Sequence, residues 1–179
     1  MIIYITITFL LMILTFFITR FFYITKLKKC DVVINDLTTI DKETGLYNRH
    51  FFDYTYLSEF HRASRINCPL ALVFFKSTST DKLPQILLDS IKRDTDFISR
   101  YEKNIYAAVL YDTSLEGVDQ IINRVMERVD GDMDLNIGVH TSIPDSHTSS
   151  IKLVEEAIKS LNVAISRGDR IIEFTLNSI

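Results

Sequence analysis

Glycine, proline and cysteine are scarce in this chain, with 5, 3 and 2 copies among 179 residues. So little glycine and proline beside 12 Phe and 47% apolar residues excludes a disordered chain, and no repeat or low-complexity tract is visible. No Walker loop or dinucleotide fingerprint is present; such loops need glycines, whose missing Cβ lets backbone N–H groups approach phosphate. The two cysteines, Cys30 and Cys68, have no metal-type spacing and make neither a zinc site nor a disulfide framework. His50, His61, His140 and His147 are dispersed, and none stands in an H-E-x-x-H spacing, so each reads as a surface or partly packed residue. Ser and Thr cluster at residues 77–80 and 148–150, where loop composition accounts for them. Nothing resembles a nucleophile with its base.

Acidic residues are absent from the first 29 positions, which carry Arg20, Lys26, Lys28 and Lys29. The other 150 residues hold 16 basic and 23 acidic side chains, a net of −7, and such a surface repels nucleic acid. Ile2 to Thr19 is an uncharged apolar run of 18 residues, continued past Arg20 by FFYIT. At ~1.5 Å per residue a helix over residues 2–24 crosses a hydrocarbon layer roughly 30 Å thick, with Arg20 snorkelling at one edge. A signal peptide carries basic residues ahead of its apolar region and small residues at a cleavage site, and neither is present. Basic residues follow the span, which predicts a cytoplasmic C-terminal domain in which both cysteines stay reduced. The chain therefore divides into a transmembrane helix at 1–25, a connector at 26–40 and one domain at 41–179.

In the connector, Leu27, Val33 or Ile34, Leu37 and Ile40 fall close to helical spacing, which suits a helix that pairs with its own copy. Asn48 is placed to cap a helix over Arg49–Ser64 whose Phe51, Phe52, Tyr56, Leu57 and Phe60 recur at three- and four-residue steps. PLALVFF, residues 69–75, reads as a buried central strand ended by Lys76. A helix near Leu83–Arg93 follows, then a hairpin around RYEKNIY with Glu102, Lys103 and Asn104 at its turn. After it come a helix over Leu115–Val129, the strand LNIGVHT, the linker SIPDSHTSS, the helix LVEEAIKSLNVAI and the strand RIIEF. This order of elements predicts an α+β domain with a mixed or antiparallel sheet covered by helices.

Three places in this domain are candidates for chemistry. The hairpin turn offers Glu102, Lys103 and Asn104, which supply neither a glycine for a phosphate nor neighbouring carboxylates for a metal. Lys76 binds a phosphate or merely ends a buried strand at the solvent edge. Arg93 and Asp96, three residues apart in RDTD, form either a local ion pair on a helix end or an exposed clamp. In the clamp, Arg takes a phosphate or stacks on a base while Asp accepts hydrogen bonds from a guanine edge.

Four segments together resemble the GGDEF domain, the fold of diguanylate cyclases, which condense two GTP into cyclic di-GMP. DKETGLYNRHFF at 41–52 is similar to the family's D-x-x-T-G-L-x-N-R-R-x-F. PLALVFFK matches the strand that normally ends in a metal-binding Asp, and RDTDFISRYEKNIYAAVL matches R-x-x-D-x-x-x-R-Y-G-G-D-E-F and the strand after it. LNIGVHT and the closing helix and strand echo the family's last segments. The resemblance covers roughly residues 37–175 and implies a ferredoxin-like βααββαβ core, a mixed sheet flanked by helices.

The departures fall where the family does its chemistry. Lys76 stands at the metal-binding Asp, and Glu102, Lys103, Asn104, Ile105 and Tyr106 stand at the signature, so both signature acids and both glycines are gone. Between Lys76 and Arg93 the chain is about 15 residues shorter than the family pattern, which removes the guanine-recognising segment. A lysine brings positive charge where Mg²⁺ needs oxygen, so no metal, cofactor or cyclase activity is expected. Arg93 and Asp96 do keep the R-x-x-D of the inhibitory site, where the family binds cyclic di-GMP.

The resemblance and the span together imply a catalytically silent GGDEF-like domain in a bacterial inner membrane. It is expected to act as an interaction or dimerisation module through self-association or another membrane protein. The alternatives are a cyclic di-GMP receptor acting through Arg93 and Asp96, and a nucleotide-processing enzyme with an atypical site.

Overall fold

The computed structural model describes residues 1, 4, 7, 9, 11–24, 38–78, 81–168 and 172–176. The chain divides into two compact units, Met1–Thr38 and Thr39–Ile179. In the first, residues 11–24 form a helix, α1, whose side chains are all exposed. The hydroxyls of Thr15 and Thr19 donate to carbonyls of their own helix at 2.9 Å, so neither is left unpaired. The expected span at 2–24 lies partly outside the described residues, as does the connector at 26–40, of which only 38–40 are described, and among those described no helix is long and apolar enough to cross a membrane.

In the second unit, α2 (Arg49–Ile66) starts where Asn48 accepts the Phe51 N–H at 2.9 Å on its side-chain oxygen, as expected of that cap. Phe52, Tyr56, Phe60 and Ala63 are its buried stripe, whereas Leu57 is exposed, contrary to the face drawn from spacing alone. Leu57 is one residue past Tyr56, and the 100° step of a helix carries it off the sheet.

The strands β1 (Leu70–Lys76), β2 (Phe97–Glu102), β3 (Ile105–Tyr111), β4 (Asn136–Ser142) and β5 (Ile172–Leu176) form one sheet of order β2-β3-β1-β4-β5. β1 lies at its centre, antiparallel to β3 and β4, and every residue from Leu70 to Phe75 is buried. β4 and β5 pair in parallel, so the sheet is mixed. Alternation along β1 divides the core. Ala71, Val73 and Phe75 join Leu83 and Leu87 of α3 (Leu83–Ser90) and Val118, Ile122 and Val125 of α4 (Leu115–Arg128). Leu70, Leu72 and Phe74 join α2 and Leu153, Ala157 and Leu161 of α5 (Ser150–Arg167) on the other face.

Two expectations need correction. One helix, not two, connects β1 to β2 among the described residues, so the βααββαβ core is short of a helix. That helix ends at Ser90 rather than Arg93. Ile91 is already extended, and the residues that follow make a turn closed by the Asp96 N–H on the Arg93 carbonyl at 3.0 Å. In the hairpin, Glu102 belongs to β2, opposite Ile105, and a bulge separates it from Arg100. Lys103 and Asn104 make the turn, and Asn104 takes a φ of +65°. Among non-glycine residues asparagine bears that left-handed conformation well, which is how the hairpin closes without glycine.

Candidate functional site

Lys76 ends β1 with Ile105 opposite it on β3 and Asn136 opposite it on β4. The strand end is therefore a lysine flanked by an isoleucine and an amide. Around it Glu102 and Lys103 are exposed, Ile105 is half-buried and Tyr106 is fully buried, its phenol raised in pKa by that burial. No group of three or more His, Cys, Asp or Glu side chains that could hold a metal occurs among the described residues.

The loop after β1 is tied down from two sides. The Ser77 N–H donates to the Asn104 carbonyl at 3.3 Å, which joins the loop to the hairpin turn. From the approach to β4, the Asp134 carboxylate accepts the Ser77 hydroxyl at 3.1 Å, the Thr78 N–H at 3.0 Å and the Thr78 hydroxyl at 2.9 Å. Partial burial by itself would raise the pKa of Asp134, but the Thr78 and Ser77 donors outweigh it and hold the group below its ordinary value. The hydroxyls and N–H groups of Ser77 and Thr78 are thus already taken within the chain, by Asp134 and the Asn104 carbonyl. Sequence reasoning read residues 130–132 only as a turn signal and missed Asp134; no local pattern links it to Thr78.

Arg93 and Asp96 lie at the far end of the same hairpin, about 20 Å along the strands from the turn at ~3.3 Å per residue. They sit in the turn before β2, not on a helix end. Arg93 donates to the Thr113 hydroxyl at 3.0 Å, and Asp96 accepts the Tyr111 N–H at 3.2 Å, which extends the β2–β3 ladder by one bond. Asp96 Oδ2 is buried without a hydrogen-bond partner. Burial raises the pKa of Asp96, opposed by Arg93, the Tyr111 N–H and the Thr95 hydroxyl. The structure therefore brings the two residues of the motif together and separates them from the signature.

A further cluster was not singled out from the sequence. Arg100 of β2 reaches Asp41 at 3.1 Å and Glu43 at 2.5 Å, and Asp41 also accepts the Thr44 N–H at 3.0 Å and its hydroxyl at 2.8 Å. Its signal was present in DKETG, where Asp and Thr three apart suit an Asx-type turn. Tyr47 then donates to the Ile98 carbonyl at 3.1 Å and accepts the Arg100 N–H at 2.7 Å, which fastens this leading loop along the outer edge of β2. Of the histidines, His140 is fully buried on β4, and burial lowers its pKa, while His50, His61 and His147 are exposed.

The sheet order, the helices on both faces and the hairpin turn beside the end of the central strand define an α+β domain with a mixed sheet. No family model matches the chain, and no curated protein matches it in sequence. Solved structures do. The GGDEF domain of FimX from Pseudomonas aeruginosa superposes with a TM-score of 0.70 at 16% identity, covering 77% of this chain and 99% of that one. The GGDEF domain of DgcB from Caulobacter crescentus, solved in complex with c-di-GMP, superposes with a TM-score of 0.66 at 15% identity, covering 76% and 92%. The active GGEEF domain of a diguanylate cyclase from Vibrio cholerae gives 0.66 at 16% identity, covering 74% and 99%. The chain adopts the fold of GGDEF domains.

Proposed function

We propose that this chain is a membrane-anchored GGDEF-fold domain that serves as an interaction and self-association module of a bacterial inner membrane and has no cyclase activity. The observation that carries the reading is the state of the loop after β1. The hydroxyls of Ser77 and Thr78 and the Thr78 N–H are held by Asp134, the Ser77 N–H is bonded to the hairpin turn, and Lys76 stands where two-metal phosphoryl transfer would need a carboxylate. The anchor rests on the apolar run from Ile2 to Thr19. Exposed Tyr54 and Ile151, at 78% and 69%, supply apolar surface on α2 and α5 for a partner. The test uses the full chain: it sediments with membranes and resists alkaline extraction, and GTP with Mg²⁺ or Mn²⁺ returns unreacted. Cyclic di-GMP or any other GTP-derived product would overturn the silent reading, and release into the soluble fraction would overturn the anchor.

A second reading is favoured by one observation, the exposed Arg93 in the same turn as Asp96, whose Oδ2 has no donor. The guanidinium suits a phosphate of cyclic di-GMP, and the buried Asp96 carboxylate would have to turn outward to accept from the guanine edge. Titration calorimetry of the full chain in detergent then shows binding that Arg93→Ala abolishes. No heat at ~100 μM nucleotide, or binding unchanged in the variant, removes the receptor reading.

A further inference from the structure

We propose that two copies of this chain join edge to edge through β5, pairing antiparallel about a two-fold axis at Phe174 to make one continuous sheet. The proposal rests on the self-association reading above and gives it a surface.

The sheet has two edges, β2 and β5, and the chain treats them differently. β2 is covered along its outer side by the leading loop through Tyr47. β5 pairs with β4 on one side, and among the described residues no strand pairs with its other side. An open edge is ordinarily protected by lysine, proline, a bulge or a covering segment, because its free N–H and C=O groups template another strand. β5 reads IEFTL and contains neither lysine nor proline. Its one charge, Glu173, is engaged by Arg167 of α5. Ile172 and Phe174 reach the core but stay partly open to solvent, so the edge is apolar and incompletely covered.

The occupant follows from the register. A closed pair of identical edges must be isologous, so each residue meets its symmetry mate across the axis. Centred on Phe174, the pairing sets Phe174 opposite itself, Ile172 opposite Leu176 and Glu173 opposite Thr175. Aromatic pairs directly opposite are favourable, and each carboxylate faces a hydroxyl instead of a second carboxylate. Centring on Glu173 would oppose two acids, which disfavours that alternative. β5 is thus complementary to a second copy of itself.

The test uses the full chain in native membranes with Cys30→Ser, which leaves buried Cys68 as the native thiol. Phe174→Cys puts a thiol on the axis, and a short bifunctional thiol reagent is expected to convert it to a crosslinked dimer. Adding Thr175→Glu sets a carboxylate opposite the partner copy's acid at 173, twice per dimer, and is expected to lower the crosslinked yield about tenfold. Adding Thr175→Lys sets a cation there and is expected to preserve the yield. Both substitutions remove the same Ser160–Thr175 hydrogen bond, so a loss of folding lowers both yields equally and a charge effect separates them. No crosslink from Phe174→Cys, or equal yields from the folded Glu and Lys variants, overturns the β5 surface. If the wild-type chain still sediments as a dimer in detergent, self-association survives through another surface; a monomer there together with no crosslink overturns both.

Discussion

Replacing Gly138 with alanine is expected to destabilise the domain by about 3 kcal/mol or more, a large part of the ~5–15 kcal/mol that holds a typical domain together. Gly138 lies on β4 directly beneath α5. A Cβ built there would stand 2.2 Å from the Leu161 nitrogen and 2.5 Å from its Cα. Both are backbone atoms inside a helix, and no side-chain rotation relieves the overlap. α5 would have to lift from the sheet, loosening Leu153, Ala157 and Leu161 from the core they share with β1. Urea unfolding of the full chain followed by circular dichroism measures the effect. Gly131→Ala is the control, because nothing lies within 4 Å of the Cβ it would add, and its midpoint should move by less than about 0.5 kcal/mol. A Gly138→Ala midpoint equal to wild type would refute the close approach of helix and sheet.

Asp41→Ala is expected to cost about 2 kcal/mol, since it strips Thr44 of its acceptor and leaves half-buried Arg100 with only Glu43. The same carboxylate has a signature in pH. Burial by itself would raise its pKa, but the Thr44 hydroxyl, Arg100 and the Thr44 N–H outweigh that and set it below the ordinary value. A depressed folded pKa stabilises the native state above the unfolded value, near 4, and that contribution disappears as pH falls through the lower folded value. Asp41→Asn keeps an acceptor and no longer titrates. The stability difference between wild type and Asp41→Asn should therefore be constant from pH 7 to about 5 and shrink below pH 4. Asp134 is shifted in the same direction, so the difference between the two proteins, not the wild-type curve, isolates Asp41. A difference that stays flat to pH 2 would show that the folded state does not depress the Asp41 pKa at all.

Much of the fold was legible in the chain because it is written in local period. The apolar run from Leu70 to Phe75 could be satisfied only by a strand buried on both faces, and the four-residue steps from Phe52 to Phe60 only by a helix against a sheet. The cap at Asn48 was legible for the same reason, since the cap and the N–H that donates to it lie three residues apart. Leu57 was misplaced because it adjoins the stripe, and burial there depends on how squarely the helix meets the sheet.

By itself the sequence determined the α+β order, the central strand and the identities of the side chains at its end, Lys76 among them. Tertiary structure alone decided what those side chains do. Ser77 and Asp134 are 57 residues apart, and Arg100 and Asp41 are 59 apart. Contacts at such separations leave no periodic trace, because they depend on which strands become neighbours. Composition described RIIEF as a strand, but only the sheet order shows that the strand, Ile172–Leu176, is an edge among the described residues. A strand's propensity is a property of its residues, whereas its free hydrogen-bonding side is a property of the whole sheet.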